Sequence, residues 1–186
     1  MIYIGDIMRV ITGTAKGKRL KPLPNMDVRP TTDRVKEAVF SAIQFDIEGR
    51  VFLDLFAGSG QMGIEALSRG AKFAYFVDNS NDAAKICSEN IANTGFEKVS
   101  QVVRRDAAAF LGSVNEKFDI AFLDPPYKTG LLETLALKVT DNMKDSGIII
   151  CEHPLEEALP ENLKEFTLFR KYRYGKICIS IYKKEN

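Results

Sequence analysis

The tetrapeptide Asp124-Pro125-Pro126-Tyr127 combines residue types that could act on a conjugated amino group. Such a group is a poor nucleophile because its lone pair is delocalised. The Asp124 carboxylate and a main-chain carbonyl, that of Pro125, could accept hydrogen bonds from the amino hydrogens and favour a tetrahedral nitrogen. The prolines stiffen the loop, and Tyr127 could stack on a base. The segment predicts methyl transfer to adenine N6, cytosine N4, guanine N2 or a protein amide.

A glycine-rich loop lies upstream, at the end of the apolar run at 51–56. Its glycines at 58, 60 and 63 satisfy the GxGxxG pattern of dinucleotide sites. Asp54, however, would repel a pyrophosphate and could face a cationic amino-acid moiety. The loop therefore predicts S-adenosylmethionine rather than a nicotinamide cofactor. Its predicted cofactor-binding residues are Asp54, Phe56, Ala57, Gly58, Ser59 and Gly60.

Two further carboxylates end the next predicted strands. Asp78 could accept both ribose hydroxyls of the cofactor, and Asp106 would lie beside its adenine. Asn79 and Ala107, which follow them, are included in the predicted cofactor site. A helix N-cap is the alternative role, particularly for Asp106. The three carboxylates, Asp54, Asp78 and Asp106, fall at the carboxyl ends of predicted strands, where open α/β sheets bind ligands.

The elements that must position these residues alternate between strands and helices, which predicts a parallel sheet covered on both faces. The last two runs, 165–174 and 176–184, flank Gly175 without a helix between them and predict an antiparallel hairpin. The expected fold is α/β: a Rossmann-like class I methyltransferase fold with a mostly parallel seven-stranded sheet. Strands are predicted at 51–56, 72–78, 98–106, 118–124 and 147–153, and helices at 61–70, 81–95, 107–114 and 130–143.

The first fifty residues have a different pattern and predict a small basic appendage, 1–50, before a methyltransferase domain, 51–186. Residues 8–13 and 18–24 indicate short strands or extended pieces, and a helix is expected to begin after Thr31 or Thr32. Net charge is +6 over residues 9–36, −9 over 37–161 and +6 over 164–184. This distribution favours a polyanionic partner, with lysine-rich solvated faces as the alternative. The candidate RNA-binding residues are Lys16, Lys18, Arg19, Lys21, Arg29, Arg170, Lys171 and Arg173.

Composition excludes several other classes. The three cysteines, Cys87, Cys151 and Cys178, are far apart, and His153 is the single histidine, so we expect no disulfide framework and no metal site. No apolar run reaches the length of a membrane span. Residues 1–7 lack the features of a signal peptide. A cytoplasmic protein without a membrane partner is predicted.

The assembled motifs resemble the bacterial 16S ribosomal RNA guanine-N2 methyltransferase family, the RsmD type. The resemblance extends from Met8 onward and rests on "MRVITGTAKGKRLKPLP", "RPTTDRVKEAVFSAI", "FLDLFAGSGQMGIEALSRGA", "FVDNS", "RRDAAAFL", "FDIAFLDPPY" and "YRYGKICISIY". It implies S-adenosylmethionine as donor and one guanine of 16S rRNA (position 966) as acceptor, within an assembling 30S particle and with the enzyme as a monomer. It also implies that Arg34 lies near the cofactor's methionine end, while residues 124–127 hold the guanine amino group.

Two other functions remain open from the residues alone. One is an amino methyltransferase acting on DNA adenine or on a protein glutamine. The other is a catalytically silent RNA-binding module that kept the fold. The intact Asp54, glycines and DPPY segment argue against the silent module, because such a module need not retain them.

Overall fold

A computed structural model describes residues 8–24, 33–127 and 129–184. Its strands are β1 (Val51–Leu55), β2 (Phe73–Asp78), β3 (Ser100–Arg104), β4 (Phe118–Leu123), β5 (Met143–Pro154), β6 (Asn162–Leu163), β7 (Phe166–Tyr174) and β8 (Ile177–Lys184). Its α-helices are α1 (Asp33–Ala42), α2 (Gln61–Ser68), α3 (Asn81–Thr94), α4 (Ala107–Leu111) and α5 (Leu131–Val139). Short 3₁₀ turns cover Glu97–Val99 and Thr140–Asn142.

The strands form one sheet in the order β3-β2-β1-β4-β5-β8-β7-β6. The pairs among β1 to β5 are parallel, and β8, β7 and β6 join antiparallel. The predicted class I methyltransferase fold with a C-terminal hairpin is confirmed. The sheet has eight strands rather than the predicted seven, because the two-residue β6 pairs with β7 at the edge.

Helices cover both faces of the sheet, which explains why nearly every residue of β1 and β4 is buried and why most of them are apolar. On one face α1, α2 and α3 pack on side chains such as Phe52, Phe76 and Phe122. On the other face α4 and α5 pack on Leu53, Leu123 and neighbouring residues. Successive strand residues alternate between these two layers, so the layer to which a side chain belongs follows from its register.

The N-terminal segment packs on α2. The backbone N–H groups of Ile11 and Thr12 donate to the Glu65 carboxylate at 2.8 and 3.0 Å. The buried Lys36 ammonium donates to the Arg9 carbonyl at 2.6 Å and lies 4.0 Å from Glu65. The segment 8–24 of the predicted appendage therefore shares a hydrophobic core with the sheet. A domain division after residue 50 stays a prediction.

The N-terminal segment has less regular strand structure than its sequence predicts, whereas α1 packs as expected. The pieces at 8–13 and 18–24 form a single isolated antiparallel bridge, Arg9 to Arg19, instead of two strands. Helix α1 buries Val35, Val39 and Phe40 as the spacing predicts. The expected cap at Thr31 or Thr32 lies outside the described residues. Among the described helices, none combines the length and apolarity needed to cross a bilayer.

Candidate active site

Four parallel strands end in the same pattern, an apolar residue followed two positions later by an acid. The apolar residues all face the layer of α1, α2 and α3. Because side chains two apart share a face, the four acids lie on that face at the carboxyl edge of the sheet. The pairs are Phe52 and Asp54 on β1, Phe76 and Asp78 on β2, Phe122 and Asp124 at β4, and Ile150 and Glu152 on β5.

Asp54 is the most deeply placed acid of the glycine loop, with 2% of its surface exposed. Its Oδ2 accepts the Gly63 backbone N–H at 2.9 Å. Burial raises the pKa of Asp54 to about 7. The hydrogen bond from Gly63 acts in the opposite direction and lowers this pKa, while repulsion from Asp78 raises it further. A buried carboxylate of this kind is the acceptor that a cationic ligand group would satisfy.

Asp78 holds the loop in place with both oxygens. Its Oδ2 accepts the Gly58 N–H at 3.0 Å, and its Oδ1 accepts the Ser80 N–H at 2.9 Å. Each carboxylate oxygen has a second lone pair, so Asp78 can accept further hydrogen bonds from a ligand such as a ribose diol. The two acids thus hold the same glycine loop, Asp78 through the Gly58 N–H and Asp54 through the Gly63 N–H.

The backbone of the loop requires left-handed conformations. Phe56 has φ 72°, at a cost of about 1–2 kcal/mol for a residue with a side chain. Its N–H and that of Ala57 both donate to the Val77 carbonyl, which tethers the turn to β2. Gly60, with φ 80°, is the N-cap residue that precedes α2, and a Cβ there would lie 2.6 Å from the Cys87 sulfur.

Asp124 leaves β4 beside β5, and its pKa is raised well above the ordinary value. Burial is the main cause, followed by the charges of Glu152 and Asp54. Its N–H donates to the Leu55 carbonyl at 3.5 Å, which links this loop to the end of β1. Pro125 is buried, whereas Pro126 is exposed. An acceptor held this way is preorganised for a substrate donor.

Glu152 is the functional candidate that the sequence reasoning missed. It is 2% exposed, and its Oε1 accepts the Tyr127 hydroxyl at 3.2 Å. Tyr127 itself is 44% exposed, so its ring is accessible at the mouth of the site. The repeated strand-end pattern is the signal that could have found Glu152, since its strand otherwise contains apolar residues at 148–151.

The remaining predicted cofactor residues lie around this edge. Asp106 is exposed and caps α4 by accepting the Ala109 N–H at 2.9 Å, so the alternative N-cap role is observed. Ala107 is buried at the first position of α4, and Asn79 is exposed after β2. Ser59 is buried, and its carbonyl accepts the Asn90 side-chain N–H at 2.9 Å.

Arg34 is exposed on the first turn of α1 and lies at the tip of the β7–β8 hairpin. Together with Arg173 and Lys176 it lines a cleft of about 240 Å³. The other lining residues are Val35, Tyr174, Gly175 and Ile177, none of them acidic. The structure therefore groups Arg34 with the basic hairpin, and its contact with the cofactor stays a prediction.

The predicted RNA-binding residues form two groups. Lys18 and Lys21 contact α3 through the Asn93 carbonyl at 2.9 Å and the Glu89 carboxylate at 2.8 Å. Lys16 and Arg19 are exposed in the same segment, and Arg29 lies outside the described residues. The second group, Arg170, Lys171 and Arg173, is exposed on β7.

The β7 group lies level with the active site. Residues Cys178 and Ser180 of β8 pair with His153 and Cys151 of β5 on one side, and with Arg173 and Lys171 of β7 on the other. Two strand spacings of about 4.8 Å therefore separate these cations from the end of β5. Lys171 shares the register of Cys151, which belongs to the layer of α4 and α5, whereas Glu152 is in register with Tyr172.

His153 is buried, and its ring nitrogens contact the Pro154 carbonyl and the Ser180 hydroxyl, each at 2.9 Å. Burial lowers the pKa of His153. The three cysteines are buried thiols. Within the described ranges no group of His, Cys, Asp and Glu side chains is arranged to hold a metal ion.

The family model described as "Conserved hypothetical protein 95" matches residues 8–183. A Bacillus subtilis protein named "Putative rRNA methyltransferase YlbH" is 41% identical over 182 residues, covering 95% of this chain and 99% of that protein. Escherichia coli "Ribosomal RNA small subunit methyltransferase D" is 33% identical over 180 residues, covering 96% and 90% of the two chains. The solved structure "Putative methyltransferase yhhF from Escherichia coli" superposes with a TM-score of 0.86 at 34% identity, covering 96% and 98%.

A Rossmann-like sheet with a glycine loop and a DPPY segment at its carboxyl edge defines a class I methyltransferase. Within that class, the chain belongs to the family described as "Conserved hypothetical protein 95", the RsmD family, as the resemblance of its motifs predicts.

Proposed function

We propose that this protein transfers a methyl group from S-adenosylmethionine to the exocyclic N2 of a guanine in 16S ribosomal RNA. The observation that carries the proposal is the half-buried Asp124, which lies beside Glu152 and Tyr127 at the same sheet edge as Asp54 and the glycine loop. Family membership and relatives named as ribosomal RNA methyltransferases support RNA as the substrate.

The cofactor residues fit a cationic, ribose-bearing donor. Asp54 would face the cationic methionine end, because a buried carboxylate is stabilised by a neighbouring positive charge. Asp78 would accept the ribose hydroxyls with its remaining lone pairs, and Asp106 would lie beside the adenine. The bound sulfonium supplies an activated methyl group, so the protein needs no strong general base.

The chain's own residues prepare the acceptor nitrogen. Asp124 and the Pro125 carbonyl accept its two N–H groups, which localises the lone pair on nitrogen. Methyl transfer would form the nitrogen–methyl bond as the donor's sulfur–methyl bond breaks, with the neutral thioether as the leaving group. The methylated nitrogen then loses one proton to Asp124 or to water. Tyr127 stacks on the base and holds it in line with the methyl group.

The RNA backbone would lie along the basic hairpin. Arg170, Lys171 and Arg173 are level with the active site, and the cleft between Arg34, Arg173 and Lys176 suits a phosphate beside the target nucleotide. A base within folded RNA must leave its stack to reach Asp124. A single chain acting on the position-966 guanine of an assembling 30S particle is part of this proposal.

The test is methyl transfer from radiolabelled S-adenosylmethionine to undermethylated 30S particles, free 16S RNA, DNA and protein extract, followed by nucleoside analysis. We expect label in N2-methylguanosine of the ribosomal RNA. Label in DNA adenine or in protein would overturn the RNA substrate. No transfer to any of the four, with RNA binding intact, would favour the silent binding module.

A further inference from the structure

We propose that Glu152 accepts a hydrogen bond from the N1–H of the target guanine and thereby selects guanine over other amino-bearing bases. This inference rests on the proposed function and deepens it. The DPPY segment alone is compatible with guanine, adenine and cytosine. A second acceptor beside Asp124 supplies the selectivity that the tetrapeptide lacks.

The position of Glu152 follows from the strand register. Leu123 of β4 pairs with Cys151 of β5, so the next residues, Asp124 and Glu152, lie side by side at about one strand spacing, 4.8 Å. Both follow residues of the layer packed on α1 and α2, Phe122 and Ile150, and so lie on the same face. Glu152 is buried and Asp124 is half-buried.

Neighbouring acceptors match guanine in particular. Guanine presents the N1–H and N2–H donors next to each other on its Watson–Crick edge. Adenine presents an amino donor beside the N1 lone pair, and cytosine presents one beside the N3 lone pair. If adenine or cytosine were bound, the lone pair of its ring nitrogen would face the Glu152 carboxylate, and neither acceptor would have a hydrogen-bond donor. The resulting loss of binding free energy is much larger in a site without water than in solution.

The Tyr127 contact places Glu152 within the substrate site. The Tyr127 hydroxyl donates to Oε1 of Glu152 at 3.2 Å, and Tyr127 is the residue proposed to stack on the base. A carboxylate has several lone-pair positions, so one group can hold the tyrosine and accept from the base together. Glu152 is therefore hydrogen-bonded to the tyrosine whose ring is proposed to position the substrate.

A merely structural role would have a different consequence. If Glu152 only held Tyr127, its loss would slow methylation of every base to a similar extent. If Glu152 accepts N1–H, its loss would change the ratio between bases that have and lack that hydrogen. The 2-aminopurine base is the suitable probe, because it keeps the 2-amino group but has a lone pair at N1.

The experiment uses 30S particles reconstituted with 16S RNA that carries guanine or 2-aminopurine at the target position. For the full-length wild-type protein we expect kcat/KM to be at least about 100-fold higher for guanine. In Glu152→Gln the side-chain amide can donate to N1, so the ratio should fall below about tenfold. Tyr127→Phe is the matched control, since it removes the hydroxyl contact, and it should keep the wild-type ratio at a lower rate.

Several outcomes would overturn the assignment. Equal wild-type rates on both bases would do so without any variant. An unchanged ratio in Glu152→Gln, with calorimetry showing normal S-adenosylhomocysteine binding, would also do so. A collapsed ratio in Tyr127→Phe would place the selectivity in the tyrosine. Failure of the wild-type protein to methylate guanine N2 at all would instead reject the proposed function, which separates the two failures.

Discussion

At the scale of single residues, the site is made of carboxylates held under conditions that oppose their charge. Asp54 and Glu152 are buried at one edge of the sheet, and Asp124 is half-buried beside them. Burial raises the pKa of Asp54 to about 7 and that of Asp124 well above its ordinary value. Without a bound cation or hydrogen-bond donor, the burial of these carboxylates opposes folding. Replacing one of them should therefore raise the stability of the free protein and weaken ligand binding.

Asp54→Asn should stabilise the free protein while weakening cofactor binding. The folded pKa of about 7 lies above the ordinary value of 3.8, so the folded state holds a proton that the unfolded state loses between these pH values. Wild-type stability therefore falls as pH rises through this window, and the variant should gain about 1–4 kcal/mol by pH 8. Urea unfolding at pH 5 and pH 8 would measure the gain, and calorimetry with S-adenosylhomocysteine would measure the lost affinity.

Asp106→Asn is the matched control for that change, because Asp106 is exposed and an asparagine still caps α4. It should show no comparable gain between pH 5 and pH 8. A gain in Asp54→Asn that is the same at both pH values would contradict the titration argument.

Asp124 should govern the acid limb of the pH–rate profile. Its ionised form accepts the amino hydrogens, so kcat/KM should rise with pH through its raised pKa. Glu152→Gln removes the neighbouring charge that helps to raise this pKa, so the acid limb should move to lower pH. Steady-state rates between pH 5 and pH 9 test this. An acid limb at the same pH in both proteins would mean that another group is titrating.

At the scale of elements, the glycines of the cofactor loop set how closely α2 approaches the sheet. A Cβ on Gly63 would lie 2.3 Å from the Phe76 ring, which is itself buried in the core. The Gly63 N–H also anchors Asp54. One position therefore couples helix packing to the acid that would face the cofactor.

Gly63→Ala should destabilise the protein by about 1–3 kcal/mol, although alanine is the better helix former. The displaced helix should also weaken S-adenosylhomocysteine binding. Thermal unfolding and calorimetry are the measurements. Gly95→Ala is the control: Gly95 has φ 85° and open space around it, so its variant should lose stability only through backbone strain and keep its affinity. Unchanged affinity in Gly63→Ala would argue against the coupling.

Sequence periodicity correctly predicts the helices and strands that are long or have a strong apolar pattern. The alternation after residue 51 predicts β1 to β4, α2 to α5 and the terminal hairpin, all of which are observed. β6 was missed because two residues carry no periodicity. Glu152 was missed because the strand-end pattern that it shares with the other acids is short, and its position next to Asp124 follows only from the strand register.

At the scale of the whole molecule, the two basic ends differ in how freely their charges face solvent. Lys21 forms an ion pair with Glu89, and Lys18 binds the α3 backbone, so the N-terminal cations partly serve to dock their own segment. Lys171 and Arg173 lie on β7, level with the end of β5 and the active site. The hairpin should therefore contribute more to RNA binding than the N-terminal segment.

Replacing Arg170, Lys171 and Arg173 by alanine should weaken 16S RNA binding and reduce the slope of log affinity against log salt by about 2–3. The same change at Lys16, Lys18 and Arg19 should reduce the slope less. A charge-matched control replaces Lys72, Lys98 and Lys117, which precede β2, β3 and β4 at the opposite sheet edge. Equal losses in the hairpin and control variants would show that binding follows net charge alone. A larger loss in the N-terminal variant would move the RNA path from the hairpin to α3.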